Sequence, residues 1–351
     1  MSTSQIVSLQ TGVPDFCYSQ EQITEFYVNR LALSGNRRHR SIRTVMGYSG
    51  VDHRHSVVDA DFFTEERTTQ ERNDRYMEEA VPLGERVIRK GLAKSGVSAT
   101  DIDHFIVVSC TGFNVPGLDL LLAHRLGMSP HLNRTQIFGM GCYAAFPGIR
   151  RAIDSINNKP NQLALVLCLE LCTLHLPFDD AVESVVSTSL FADGVAMTLI
   201  GNQDQTAGPQ LIDSDTYCDY QTLDHMTFMV TDHGFRMYLS TYVSDVLAAQ
   251  VRNFIAPLLK RNQLNVSDVK FWAIHPGSKR IVEYLQEQLQ LSDEQVRPSL
   301  DVLRDYGNMS SATVMFVLDH INQFGEPRSG DYGVMMAFGP GLTMESMLVR
   351  W

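Results

Sequence analysis

The sequence predicts an α/β fold made of two pseudo-symmetric halves, on three observations. Short runs rich in Val, Ile and Leu alternate with longer amphipathic stretches, as strands alternate with helices in an α/β domain. The runs are apolar at successive positions, which marks strands buried on both faces. A set of motifs also recurs at a spacing of 165 to 167 residues along the 351-residue chain.

In chain order, His104–Cys110, Thr135–Phe138, Leu163–Leu169 and Val195–Gly201 are the expected strands of the first half. Val269–Ile274, Gly333–Phe338 and Thr343–Val349 are those of the second. Between them, helical periodicity predicts helices at Met77–Lys94, Leu118–Leu126, Ala144–Ile156, Phe235–Leu259, Ser278–Leu289 and Ser310–Gln323. The repeat follows the same order. Thr100-Asp101-Ile102-Asp103 leads into a strand ending at Ser109-Cys110-Thr111-Gly112, and Ser267-Asp268-Val269-Lys270 into one ending at Ile274-His275-Pro276-Gly277. Gly141-Cys142 opens one apolar helix and Gly307-Asn308 another. Each half closes on a turn, Phe191-Ala192-Asp193-Gly194 or Phe338-Gly339-Pro340-Gly341, that leads into one more strand. The expected units are residues 1–205 and 206–351. Cys142 and Asn308 then stand at equivalent helix starts and face one pocket.

Apolar residues make up 44% and charged residues 20% of the chain, an ordinary globular balance. Lys plus Arg is 29 and Asp plus Glu is 40, a net charge of −11 that lacks the footprint of a nucleic-acid binder. An anionic substrate must therefore meet a local basic patch. The candidates are Arg37, Arg38, Arg40 and Arg43, with Arg54 after them. No run approaches the ~18 apolar residues of a membrane span. Met1 to Gln10 has no basic segment followed by an apolar core, so the expected setting is the cytoplasm. Cysteines at 17, 110, 142, 168, 172 and 218 are too sparse for a disulfide scaffold and are expected to be free thiols. The spacing of His, Cys, Asp and Glu gives no metal-ligand motif, and there is no glycine-rich phosphate loop.

Three residues carry candidate chemistry. Cys142 follows two glycines that permit a tight turn and begins a helix, where free N–H groups and the macrodipole favour a thiolate. Most free cysteines are nonetheless small buried hydrophobes. His275 ends an apolar strand before Pro276-Gly277, the strand end where α/β folds place chemistry. Asn308 also suits a plain helix N-cap. A Cys-His-Asn set admits two chemistries. In a papain-like hydrolase, Asn orients His, His activates Cys, and water is the final acceptor. In a condensing enzyme, Cys carries an acyl group as a thioester. His and Asn then donate hydrogen bonds to a second thioester, whose decarboxylation leaves an enolate.

Gly141-Cys142, His275-Pro276-Gly277, Tyr306-Gly307-Asn308-Met309-Ser310-Ser311 and Gly339-Pro340-Gly341-Leu342-Thr343-Met344-Glu345 resemble the type III polyketide synthases, the chalcone synthase family. The His-to-Asn spacing of 33 also fits that family. The resemblance implies a thiolase-like duplicated α-β-α-β-α layered fold, a homodimer, and acyl-CoA and malonyl-CoA as substrates with no further cofactor. It implies iterative decarboxylative Claisen condensation, then cyclisation to a pyrone, resorcinol or related aromatic. Ser109-Cys110-Thr111-Gly112-Phe113 and Glu170-Leu171-Cys172-Thr173-Leu174 are similar to the bacterial tetrahydroxynaphthalene and alkylpyrone synthases. By that resemblance Phe191 and Met237 frame the cavity mouth. Cys110, Thr111, Cys172, His175 and Gly277 line the substrate site, and His175 takes cavity volume or orients a carbonyl. Arg40 and Arg43 are the candidates for the CoA phosphates, although the family's basic positions do not match in register. Two alternatives stand beside this reading. One is an initiating β-ketoacyl-acyl carrier protein synthase making a single condensation. The other is a Cys-His-Asn thioester hydrolase.

Overall fold

The computed structural model describes residues 4–31, 36–157, 159–202, 208–240 and 242–351. Its strands are β1 (Gln5–Gly12), β2 (Phe16–Ser19), β3 (His53–Ser56), β4 (His104–Ser109), β5 (Asn133–Phe138), β6 (Leu163–Leu171) and β7 (Asp193–Gly201) in the first half. The second half adds β8 (Gln210–Cys218), β9 (Met226–Thr231), β10 (Gly234–Leu239), β11 (Val269–Ile274), β12 (Tyr332–Gly339) and β13 (Thr343–Arg350). The helices are α1 (Gln20–Arg30), α2 (Asn36–Gly47), α3 (Thr69–Ser95), α4 (Leu118–Leu126), α5 (Ala145–Ile156), α6 (Val182–Leu190), α7 (Val243–Arg261), α8 (Lys279–Leu289), α9 (Asp293–Tyr306) and α10 (Thr313–Phe324).

The sheet order β11-β12-β13-β8-β1-β7-β6-β4-β5 makes the duplication visible. In the first half β4 runs parallel to β6, β6 antiparallel to β7, and β7 antiparallel to β1. In the second, β11 runs parallel to β12, β12 antiparallel to β13, and β13 antiparallel to β8. β1 and β8 meet antiparallel at the centre. The expected boundary between residues 205 and 206 lies outside the described residues.

Period-two alternation sends the two faces of each strand into different cores. On β6, Leu163, Leu165, Leu167, Leu169 and Leu171 pack with α3 and α4. Ala164, Val166 and Cys168 pack with α5 and α10. On β12, Val334, Met336 and Phe338 face α7 and α8, while Met335 and Ala337 face the same central helices. Helices α5 and α10 thus form a central layer between two sheet halves, with α3–α4 and α7–α8 outside. That is the α-β-α-β-α arrangement the resemblance implies.

One expected helix is corrected. Phe235–Leu259 divides into β10 and α7. Phe235 and Met237 alternate against Val230 and Phe228 of β9 in an antiparallel hairpin, so strand pairing overrides the helical spacing. Among the described residues no helix is long and apolar enough to cross a membrane.

Candidate active site

Strand ends and helix starts deliver the functional side chains to one region. Cys142 sits in a short 3-10 turn, Gly141–Tyr143, between β5 and α5. It therefore precedes the α-helix, which begins at Ala145 rather than at the cysteine. Gly141 has φ +68°, and a Cβ there would lie 2.7 Å from Pro340 Cδ, so only glycine fits. The Gly339-Pro340-Gly341 turn of the second half thus packs directly on the cysteine turn. Asn308 occupies the matching place before α10, followed by the 3-10 turn Ser310–Ala312. His275 follows β11 directly.

The orientation of the Asn308 amide is fixed by its partners. Its Oδ1 accepts the Ser310 N–H at 2.9 Å and the Thr313 hydroxyl at 3.4 Å. Its Nδ2 is left to donate toward Gly277 O at 3.4 Å, in the turn that follows His275. Asn308 is thus a local cap through its oxygen and a donor toward the His275 turn and the Cys142 sulfur through its nitrogen. Ser310, at φ +49°, is held in the left-handed region beside it. Both ring nitrogens of His275 are buried and have no hydrogen-bond partner among the described residues. Buried polar groups are rarely left so, and such an orphan pair is poised for a ligand.

Burial dominates the protonation of this set. It pushes the Cys142 thiol up to about 12, although Ser310 and Asn308 hydrogen-bond to the sulfur and work the other way. It pushes the His275 imidazole down to about 3. Burial thus opposes the thiolate expected at this turn. Taken singly, each group is neutral because neither charge is hydrated.

Six of the seven expected substrate-site residues come together, and the seventh, Gly277, lies instead in the turn after His275 beside Asn308. Cys110, Thr111, Cys172, His175, Phe191 and Met237 line one narrow cavity, with Gly141, Ser310, Phe235 and Pro340 among the residues completing its wall. Cys142 packs in the same apolar cluster as Cys172, Leu176 and Phe191. His175 takes cavity volume, as expected, and turns its ring nitrogens to the protein's own backbone. Its Nε2–H donates to Thr111 O at 2.7 Å, and its Nδ1 accepts the Phe235 N–H at 3.1 Å. The ring stacks on Phe235, centroids 4.3 Å apart. Both nitrogens are committed, so His175 fills volume and clamps the β9–β10 hairpin rather than orienting a carbonyl. Burial lowers its pKa to about 4, which keeps this neutral tautomer at pH 7.

Sequence reasoning passed over Glu170 and Ser310. Glu170 is fully buried on the central-layer face of β6. Its Oε2 accepts the Cys110 N–H at 3.0 Å and the Thr111 hydroxyl at 2.8 Å, and its Oε1 the Ser311 hydroxyl at 2.6 Å. Burial raises its pKa. The Cys110 thiol reaches both Glu170 Oε2, at 3.5 Å, and Ser310 Oγ, at 3.6 Å. The available signal was one carboxylate inside the apolar run Leu163–Leu171, a cost tolerated only when fully hydrogen-bonded.

The basic candidates stand elsewhere. Arg43 on α2 is paired with Glu25 of α1, through Oε2 at 2.8 Å, and Arg40 is exposed on the same helix. Arg54 is not on the surface at all: it is 1% exposed, on β3.

Comparison with known proteins accords with this geometry. The family model for the N-terminal domain of chalcone and stilbene synthases matches residues 2–204, and that for the C-terminal domain matches residues 218–351. The alpha-pyrone synthesis polyketide synthase-like Pks18 of Mycobacterium tuberculosis is 33% identical over 355 residues, 98% of this chain and 90% of that protein. The 3,5-dihydroxyphenylacetyl-CoA synthase of Amycolatopsis balhimycina is 30% identical over 354 residues, 99% of this chain and 93% of that protein. The crystal structure of 1,3,6,8-tetrahydroxynaphthalene synthase from Streptomyces coelicolor superposes with a TM-score of 0.91 at 28% identity, covering 99% of both chains. With the duplicated layers, the paired Cys142 and Asn308 turns and both family domains in place, this chain belongs to the chalcone and stilbene synthases, the type III polyketide synthase family.

Proposed function

We propose that Cys142 carries the growing chain of an iterative, decarboxylative condensation in which His275 and Asn308 stabilise the enolate. The observation that carries this reading is the donor geometry: the Asn308 oxygen is tied down, its Nδ2 is directed to the His275 turn, and the imidazole nitrogens have no hydrogen-bond partner among the described residues. In the first step the Cys142 sulfur attacks the carbonyl of an acyl-CoA. A carbon–sulfur bond forms, the CoA thiolate leaves, and the cysteine proton passes through His275 to it. Malonyl-CoA then loses CO2, and the electron pair of the broken carbon–carbon bond becomes an enolate. Its oxygen accepts hydrogen bonds from Asn308 Nδ2 and His275. The enolate carbon attacks the Cys142 thioester, the sulfur leaves, and the extended β-ketoacyl-CoA reloads the cysteine. Cyclisation follows when the cavity is full.

The thiolate and the imidazolium arise together. Separate ionisation would bury an unpaired charge, whereas proton transfer from sulfur to imidazole creates a pair. The cavity of Cys110, Thr111, Cys172 and His175 bounds chain length, with Phe191 and Met237 at its mouth and Gly277 beside the donors. CoA-phosphate contacts by Arg40 or by Arg43 released from Glu25 belong to this proposal.

Met237 faces the cavity from a hairpin, half-buried and paired with Phe228. An unbranched side chain moves aside where a rigid ring does not. Met237→Phe is therefore expected to cut turnover of long acyl-CoA starters several-fold more than that of acetyl-CoA. The check is product mass spectrometry with malonyl-CoA and a panel of short to long starters. Unchanged selectivity would remove Met237 from the mouth.

A homodimer is part of the proposal. β5 ends the sheet, and Phe138 on it is exposed with Phe113, ring centroids 5.4 Å apart, next to exposed Val115. Apolar side chains on an open strand edge fit a second copy of the chain. Sedimentation equilibrium is expected to give twice the chain mass, and a monomer mass at micromolar concentration would contradict it.

A further inference from the structure

Arg54 is a buried cation with no carboxylate partner among the described residues. Its guanidinium donates to Phe191 O at 3.0 Å, to Ser189 O at 3.1 Å, to Thr188 O, and to Gln20 Oε1. Three of these acceptors are main-chain carbonyls at the C-terminal end of α6. A cation there satisfies orphan carbonyls and meets the negative end of the helix dipole. Burial lowers its pKa to about 9, which leaves the group charged at pH 7. Gln20 extends the network: its Nε2 donates to Ser189 O and Met46 O, each at 3.0 Å, and to Ser49 Oγ at 2.8 Å.

The segment held by this network is the one that locates two site residues. Asn308 N–H donates to Leu190 O at 2.8 Å, and Ala192 N–H donates to Asn308 O at 2.9 Å. Phe191 and Asn308 thus form an isolated parallel bridge between the two halves. Gly307, at φ +71°, has Leu190 O 2.8 Å and Arg54 Cβ 3.5 Å from where a Cβ would stand, so the backbone before Asn308 lies against the arginine itself. The carbonyls that Arg54 fixes and the backbone that Asn308 binds are consecutive residues, 188 to 192.

We propose that Arg54 is a positioning residue of the condensing site: by fixing the turn after α6 it sets where Phe191 stands and where the Asn308 amide points. This rests on the reading of Asn308 as the enolate donor and Phe191 as a wall of the cavity mouth. A planar fork serves four acceptors at once, which a lysine point charge cannot do. A displacement of about 1 Å at a donor remote from the substitution costs up to ~10²-fold in rate.

The test uses the full chain with Arg54→Lys, Arg54→Met and Gln20→Ala. It reads CO2 release from malonyl-CoA as kcat and KM, acylation of Cys142 by intact-protein mass, and the ratio of long to short starters used. Arg54→Lys is expected to melt cooperatively and to acylate Cys142 within about twofold of wild type. It is expected to lose ~10- to 100-fold in kcat for decarboxylation, with KM little changed and the starter ratio shifted. Gln20→Ala, at the rim of the network, is expected to shift both readouts in the same direction by less. If Arg54→Met does not fold, these two variants decide. Acylation and decarboxylation falling together with the folded fraction would reduce Arg54 to a structural residue and overturn the proposal, as would no change in either. Wild-type protein that releases no CO2 overturns the condensing reading itself, whereas an active wild type with an indifferent Arg54→Lys overturns only this inference.

Discussion

Replacing Cys142 by alanine is expected to abolish product formation and, with it, transfer of a labelled acyl group from a starter thioester onto the protein. The sulfur is the only protein atom in the proposed reaction that forms a bond to the starter. Cys110 and Cys172 line the same cavity, and burial drives both thiols well above the usual range, in part through the neighbouring Glu170 carboxylate. Neither has an orphaned imidazole assigned to take its proton. Cys110→Ala and Cys172→Ala are accordingly expected to retain the covalent label on Cys142 while altering the product profile. Intact-protein mass spectrometry with peptide mapping reads all three. Label retained in Cys142→Ala would move the acyl carrier to another thiol.

Asn308→Ala and His275→Ala are expected to fail differently. Removing one oxyanion donor costs ~10²- to 10³-fold in rate. Asn308→Ala should lose decarboxylation by about that factor and keep most of its Cys142 acylation, because the amide acts on the second thioester. His275→Ala should lose both, since it also takes the thiol proton. The pH dependence carries the sign. Burial, with the Glu170 carboxylate adding to it, pushes the thiol up to about 12, so without the imidazole as proton acceptor its alkylation rate is expected to keep climbing from pH 7 to pH 10. In the wild type the paired thiolate levels off at lower pH. Superimposable pH profiles in wild type and His275→Ala would mean that the pair does not form. Equal loss of acylation and decarboxylation in Asn308→Ala would reduce that residue to a cap.

The layered core was legible because its signals are local. β4, β11 and α4 fall where the apolar runs place them, and the 165- to 167-residue repeat anticipates the mirrored halves of the sheet. β1 and β8, which join those halves, carry no continuous apolar run: β1 mixes buried with partly buried positions, and β8 buries one position of its nine. The Phe235–Leu259 stretch misled because Phe235, Leu239 and Val243 also fit a helical stripe. Only the pairing of Gly234–Leu239 with β9 separates the two readings. At the site, Cys142, His275 and Asn308 announced themselves through turn motifs. Glu170, Ser310 and the clamping role of His175 depend on partners 59 to 200 residues away, which no window along the chain contains. Arg54 was read with a surface basic run. The alternation along His53–Ser56 instead turns it inward, against carbonyls more than 130 residues on.

Iteration defines the proposed reaction: one cysteine, several malonyl units, one CO2 lost for each. The most direct measurement follows purified protein supplied with an acyl-CoA starter and malonyl-CoA labelled in either the free carboxyl group or the methylene carbon. It counts CO2 released per product molecule alongside the product mass. The expected result is two or more CO2 per product, with all carboxyl label in CO2 and methylene label at every added ketide unit of a cyclised product. One CO2 per product would make the protein a single-condensation synthase, and free acid released without CO2 would make it a hydrolase; either result contradicts the account.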